Sequence, residues 1–450
     1  MLQQYYDEIF YHIYPFGFCN VPDHNNFQDQ PVNRLENLYR WLEHMRSMGI
    51  TALYLGPVFE STSHGYDTAD WYRIDRRLGS NQDFQNFCRE LKKQGIKLIL
   101  DAVFHHTGRD FWAFRDVREK KQHSPYVDWF AGIDFSRQSP YNDGFSYEAW
   151  EGHYNLVKLN LKNQDLKKHI LDAVLRWMDE FLIDGLRLDV AYALEGQFLE
   201  ELALCTKSRK ADFLLLGEVI HGDYRNWAQQ GRLDSVTNYE CFKSIYSSHK
   251  DINLFEITWS LQRQFGSTGM YRHIPLYNFL DNHDVNRITN LLGENTCYLY
   301  TSYLLLFTIP GIPSIYYGSE WGIRGMRSRS SDKALRPAKE QILSGTAKEK
   351  DLPAIIKKLI SIRKSSAALR YGSLQVLHND HTLLIFSRNW NKETIIIIVN
   401  IENKTKNIDL QGYAAGKYID LLNTGEEIHY NGGSRKICIY PHWGRILKAV

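Results

Sequence analysis

The stretch "IDGLRLDVAYA", Ile183 to Ala193, is an apolar run that ends in an arginine and an aspartate two residues apart. Side chains of a strand alternate between its faces. Arg187 and Asp189 therefore share one face, and Leu186 and Leu188 share the other. Burying such a pair costs desolvation and is a weak device for stability. The motif is either a structural tie or an aspartate held for chemistry. What surrounds it in the chain decides between the two.

Runs of the same texture recur along the chain: "EIFYHIY", "ALYLGPVF", "KLILDAVF", "DFLLLGEV", "LDSVTNY", "IPLYNFLD" and "PSIYYG". Continuous apolar runs of this kind mark strands buried on both faces, as parallel strands are. Helical patterns fall between most of them. Leu35, Leu38, Trp41, Leu42 and Met45 predict one helix, residues 83–94 a second, and Ile170 to Phe181 a third. Eight strands alternating with helices predict a closed (β/α)8 barrel, an α/β fold. After "DAVFHHTG" the pattern stops until about residue 157, and the interval from 109 holds twelve aromatic residues. An insertion of that length is a lid or a small subdomain. From about Ser373 short strands broken by "NDH", "NKE" and "NGG" predict an antiparallel β-domain. The expected division is a barrel over 1–106 and 158–370, an inserted domain over 107–157, and a C-terminal β-sandwich over 371–450.

The 450 residues are more than one core usually serves, in keeping with several domains. Lysine plus arginine number 54 and aspartate plus glutamate 52, and no basic block stands out, which argues against nucleic acid or an anionic membrane as partner. The six cysteines are scattered without a C-x-x-C pair, so neither a disulfide framework nor a zinc site is expected. The N-terminus carries Asp7 and Glu8 and has no basic start before an apolar run. No signal peptide or transmembrane span is expected, and the cytoplasm is the predicted compartment.

Chemistry in such a barrel sits at the C-terminal ends of its strands. Asp101, Asp189, Glu218 and Asp284 all follow strand runs, with His105, His106 and His283 on the same rim. A lone strand-end acid is ordinarily bonded to loop amides. Three acids with histidines and an arginine on one rim fit glycoside cleavage, in which one carboxyl gives a proton to the leaving oxygen and another meets the developing cation. Arg187 is expected to lower the pKa of Asp189 and keep it ionised. Glu218, with no cation adjacent in sequence, is expected to have a raised pKa that suits a general acid.

At these residues the chain resembles the α-amylase family, glycoside hydrolase family thirteen. "DAVFHH", "GLRLDVAYA", "GEV" and "FLDNHD" resemble its four main motifs. "GPVFES", "HGYDTADWY", "LVKLN" and "GIPSIYYGSE" resemble its supporting ones. The resemblance implies a (β/α)8 barrel, an inserted domain after the third strand and a C-terminal β-sandwich. It implies a retaining hydrolase of α-1,4 bonds in maltooligosaccharides, extending to α-1,6 bonds, with an α-glucan oligosaccharide as partner and no cofactor. Asp189 resembles the nucleophile, Glu218 the acid/base and Asp284 the third carboxylate. His106 and His283 resemble hydroxyl binders, Tyr66 a stacking platform and Arg187 the arginine that positions the nucleophile. Asp101 falls in the substrate-binding set.

Glucosyl transfer, isomerisation and a non-catalytic carbohydrate-binding role are the alternatives on the same barrel. His105 stands where the family commonly has an asparagine that binds calcium, so no metal is expected. "LVKLN" is closest to the maltodextrin- and cyclodextrin-degrading branch. With the short insertion it predicts a preference for short dextrins over starch, and Trp112, Trp129 and Trp150 are candidates either to stack on sugars or to form the core of the insertion.

Overall fold

The computed structural model describes residues 2–329, 331–344, 349–410, 414–423 and 425–450. Eight parallel strands form one sheet: β1 (Phe10–Ile13), β2 (Ala52–Leu55), β3 (Lys97–Ala102), β4 (Gly185–Leu188), β5 (Leu214–Gly217), β6 (Ser235–Val236), β7 (Tyr277–Phe279) and β8 (Ile312–Tyr316). Each pairs with its neighbour in chain order, and β1 pairs with β8. A parallel bridge between Thr237 and Tyr277 joins β6 to β7, so the sheet closes into a barrel.

Alternation along the strands sorts the side chains into two cores. Phe10, Ala52, Tyr54, Ile99, Leu214, Leu216, Tyr277 and Ile312 pack together in one cluster inside the barrel. Tyr11, Leu53, Leu98, Leu100, Leu186, Leu188 and Leu215 belong to the larger cluster formed with the surrounding helices. The register sets Asp101 beside Arg187 across β3 and β4. The helices begin where local chemistry starts them. Ser80 and Asp83 form a reciprocal capping box for Asn81–Lys93, and the Asn163 side chain accepts from Leu166 N at the start of Gln164–Glu180. The single helix predicted across Leu35 to Met45 is two, Glu36–Tyr39 and Leu42–Met48. The break falls at Trp41, whose indole packs edge-on against Phe18 and donates to the Tyr11 hydroxyl at 3.1 Å.

Between β3 and β4 a three-stranded antiparallel sheet joins His106–Gly108, His153–Lys158 and Ala149–Trp150. The C-terminal domain is a six-stranded antiparallel sheet with a two-stranded sheet, Lys406–Asp409 and Lys436–Ile439, beside it. Its run "IIIIV", Ile395 to Val399, is apolar throughout because both its faces are covered. Ile395, Ile397 and Val399 join the barrel's outer core, while Ile396 and Ile398 join the domain's own. No helix among the described residues is long and apolar enough to cross a membrane.

Candidate active site

Arg187 projects from β4 into the C-terminal end of the barrel and is 3% exposed. Its Nη1 donates to Asp101 Oδ1 at 2.9 Å and to Asp189 Oδ1 at 2.8 Å. Its Nη2 lies 2.8 Å from Glu218 Oε1. One guanidinium therefore joins three carboxylates that are distant in sequence. The strand ends hold two of these acids in place, with Asp189 N donating to Ala102 O and Glu218 N to Leu188 O. A side chain on Gly217 would meet Leu233 and Ala191, so glycine permits this approach just before Glu218. Val190 follows Asp189 in the left-handed region, at φ 50°, a strained conformation for a β-branched residue, and its N–H donates to Glu218 Oε2 at 3.0 Å.

Asp284 is aimed by an Asx turn, with Asn282 Oδ1 accepting from Asp284 N and Val285 N. Its carboxylate lies 2.9 Å from His283 Nε2 and 3.0 Å from Arg336 Nη2. The Tyr66 ring stacks on His283 at 5.4 Å, and its hydroxyl contacts His283 Nε2 and donates to Asp101 Oδ2 at 2.9 Å. Tyr54 donates to that same oxygen at 2.8 Å. Asp101 is 1% exposed and both its oxygens are engaged, so it lies beneath the site rather than at its surface. His106 Nε2 is 3.9 Å from Asp189 Oδ2. His106 Nε2 and His283 Nδ1 are buried and have no hydrogen-bond partner among the described residues.

The electrostatics correct the expectation drawn from Arg187 alone. Burial pushes Asp189 well above the usual carboxylate range, although Arg187 pulls it down, and Glu218 and Asp101 push it further. Burial also raises Glu218, again against Arg187. Sequence spacing had left Glu218 without a cation, but the barrel places it on the same guanidinium as Asp189. Both acids are therefore raised by burial against the pull of one shared cation. Asp284 differs. Burial would raise it, but His283 and Arg336 hold its carboxyl well below the ordinary range. Burial and His105 keep His106 well below the ordinary histidine value, and burial with Lys158 pulls His105 down to about 4.

All eight residues singled out in the sequence for the site meet at this end of the barrel. Two of the three tryptophans do not. Trp112 and Trp129 pack against each other at 5.5 Å and against His169 of the Gln164–Glu180 helix, as the core beneath the insertion. Of the two readings open for them in the sequence, this is the core one. Trp150 does lie at the site, stacked on His153 and 5.9 Å from His106. His105 is buried, with its Nδ1 3.3 Å from His106 Nδ1. Among the described residues no group of three or more His, Cys, Asp or Glu is arranged to hold a metal ion.

Two contributors escaped sequence reading. His12, on the interior face of β1, stacks on Tyr54 at 4.0 Å and meets His283 edge-on. The strand alternation carried that signal. Arg336 clasps Asp284, donates through Nε to His283 O at 3.0 Å and lies over the Tyr14 ring. It follows no strand, and no spacing ties it to Asp284.

Comparison with known proteins agrees with this architecture. The α-amylase catalytic domain family matches residues 13–351, and the α-amylase C-terminal domain family matches residues 372–439. A cyclomaltodextrinase of Geobacillus thermopakistaniensis is 31% identical over 425 residues, covering 92% of this chain and 70% of that protein. Neopullulanase 2 of Thermoactinomyces vulgaris is 33% identical over 436 residues, covering 95% and 72%. In a solved structure, the cyclic α-maltosyl-(1→6)-maltose hydrolase of Arthrobacter globiformis, ligand-free, is similar with a TM-score of 0.83 at 26% identity, over 100% of both chains.

Proposed function

The chain belongs to the α-amylase family and is a glycosidase of it, and we propose that it hydrolyses α-1,4 bonds of maltooligosaccharides, and α-1,6 bonds as well, with retention at the anomeric carbon. The observation that carries this reading is the single guanidinium of Arg187 shared by Asp189 and Glu218, with Asp284 ionised nearby.

In the first step Asp189 attacks the anomeric carbon while Glu218 gives its proton to the glycosidic oxygen, and the sugar beyond the cleaved bond leaves. In the second, Glu218 takes a proton from water, whose oxygen displaces Asp189 from the glucosyl ester. The raised pKa of buried Glu218 suits its role as the proton donor. Asp284 remains anionic, accepts hydrogen bonds from sugar hydroxyls and stabilises the developing positive charge. His106 Nε2 and His283 Nδ1 are free to bond hydroxyls of the same sugar, and the Tyr66 ring offers it an apolar face. Asp101 acts as a positioning residue that holds Arg187 and Tyr66.

In this reading the barrel, 1–106 and 158–370, carries the chemistry. The insertion, 107–157, reaches the site through Trp150, and residues 371–450 brace the barrel. The "VKLN" stretch, and the likeness to a cyclomaltodextrinase and to a cyclic α-maltosyl-(1→6)-maltose hydrolase, support short dextrins as preferred substrates. The test is proton NMR of maltotriose cleavage, in which the new reducing end freed from Asp189 by water should appear as the α-anomer before mutarotation. A β-anomer appearing first would overturn the mechanism. Kinetics on a maltooligosaccharide ladder against soluble starch should favour the oligosaccharides. An added sugar acceptor in the same assay separates hydrolysis from transfer.

A further inference from the structure

A cleft of about 1260 Å³ lies next to His283 and Asp284 but is not lined by them or by Asp189 or Glu218. Tyr14, His64 and Arg336 form its inner wall, and other atoms of Tyr14 and Arg336 touch His283 and Asp284. Val190 and Tyr239, which neighbour Glu218, do not line it. If Glu218 protonates the leaving oxygen, the leaving sugar lies on its side, and the retained sugar extends past Asp284 into this cleft.

The cleft's charge is one-sided. Arg324, Arg327, Arg329, Lys333 and Arg336 line it, against Asp23 and Asp332. Lys333 pairs with Asp23 at 2.6 Å, Arg327 with Asp332 at 2.6 Å, and Arg336 with Asp284. Arg324 and Arg329 are exposed and form no ion pair among the described residues. The one hydrogen bond of the Arg324 side chain there is to the carbonyl of Gly293. A surplus of two positive charges in one cleft equals the formal charge of the whole chain, +2. The segment that carries these arginines is tied down beside the site. Arg287 N donates to Gly325 O, Gly325 N to Asn290 Oδ1, and Arg327 N to Asn286 Oδ1, all just after Asp284 in sequence.

We propose that this cleft receives α-glucosides bearing a phosphomonoester on the retained, glycone side, with Arg324 and Arg329 as the specificity-determining cations. The inference rests on the glycosidase reading for the direction of the chain. A phosphomonoester carries a charge of about −1.5 to −2 at neutral pH, which matches the surplus. Guanidinium forks suit its planar oxygen pairs.

The test uses the full chain with two substrates, maltose and maltose phosphorylated on the 6-hydroxyl of its non-reducing glucose. The phosphorylated sugar should show a kcat/KM higher by at least about tenfold, a difference that shrinks as salt is raised. The exposed double variant R324A/R329A should lose that preference and keep its kcat/KM on maltotriose. Equal rates on the two disaccharides, or a preference that survives in the double variant, would overturn the inference and leave the glycosidase reading intact. Calorimetric titration of the wild-type chain with the phosphorylated sugar decides the matter without turnover. Binding that is lost in the double variant supports the proposal even if maltotriose is not cleaved, and no binding overturns it.

Discussion

At the C-terminal end of the barrel one buried arginine, Arg187, meets three carboxylates. Near the start of β8, two buried arginines, Arg363 and Arg388, meet none. Arg363 donates to the carbonyls of Phe307, Ile309 and Gly311, and Arg388 to those of Thr308 and Gly372. Both are fully buried. The carbonyls after a helix end need donors, and these guanidiniums supply them while tying the barrel to the C-terminal domain. Burial pulls both guanidiniums below the ordinary arginine value, helped by Arg370 at Arg363 and by Arg363 at Arg388. At the catalytic end the imbalance has the opposite sign, and Asp189 and Glu218 are raised rather than lowered. A surplus of buried acid makes a reactive site, whereas a surplus of buried base satisfied by carbonyls makes a joint.

Four experiments break or sharpen that contrast. Asp189→Asn should lower kcat on maltotriose by at least about 10⁴-fold, because no other group can form the glycosyl ester. A variant that retains even a hundredth of the wild-type rate would remove Asp189 from the mechanism. Glu218→Gln should cost about 10² to 10⁴-fold on maltotriose and far less on α-glucosyl fluoride, whose leaving group needs no proton. Equal losses on both would show that Glu218 is not the acid.

At the joint, Arg388→Met should leave kcat/KM near the wild-type value. It should lower stability by about 1–3 kcal/mol in denaturant titration, because it strands the Thr308 and Gly372 carbonyls. A fall in activity without a fall in stability would mean that the two ends of the barrel are coupled.

The pH dependence of melting separates the acids by sign. Asp189 is raised in the folded chain, so its contribution to stability is present at low pH and is lost as pH rises through the raised value. Asp189→Asn should therefore gain in Tm over the wild type as pH rises above the ordinary carboxylate range. Asp284 is depressed, so its contribution is present above the unfolded value and disappears as pH falls. Asp284→Asn should lose Tm at neutral pH and match the wild type in strong acid. Parallel curves for the two variants would contradict both assignments.

Much of the site was legible because it lies at strand ends. Alternation placed Arg187 and Asp189 on one face, and the order of the strand runs set Asp101, Glu218 and Asp284 on one rim. The tryptophans were not legible in that way. Trp112, Trp129 and Trp150 share composition and neighbourhood, and only the packing of the insertion on His169 separates the two core residues from the one at the site. The smallest expected effect concerns His105. Its buried imidazole is a poor partner for a hard cation, so exhaustive dialysis against a chelator should leave Tm and activity unchanged. A loss of either, restored by calcium, would point to oxygen ligands elsewhere.

The sequence by itself determined the barrel, its insertion, the antiparallel C-terminal domain and the acids on the rim, because periodicity and strand order are local or serial properties of a chain. Only the tertiary structure decided how those acids share charge. Glu218 is 31 residues from Arg187 in sequence and 2.8 Å from it in space. Arg336 reaches Asp284 from a segment with no strand to announce it. Protonation depends on burial and on every charge within a few ångströms, and those neighbours are assembled by barrel closure rather than by spacing along the chain.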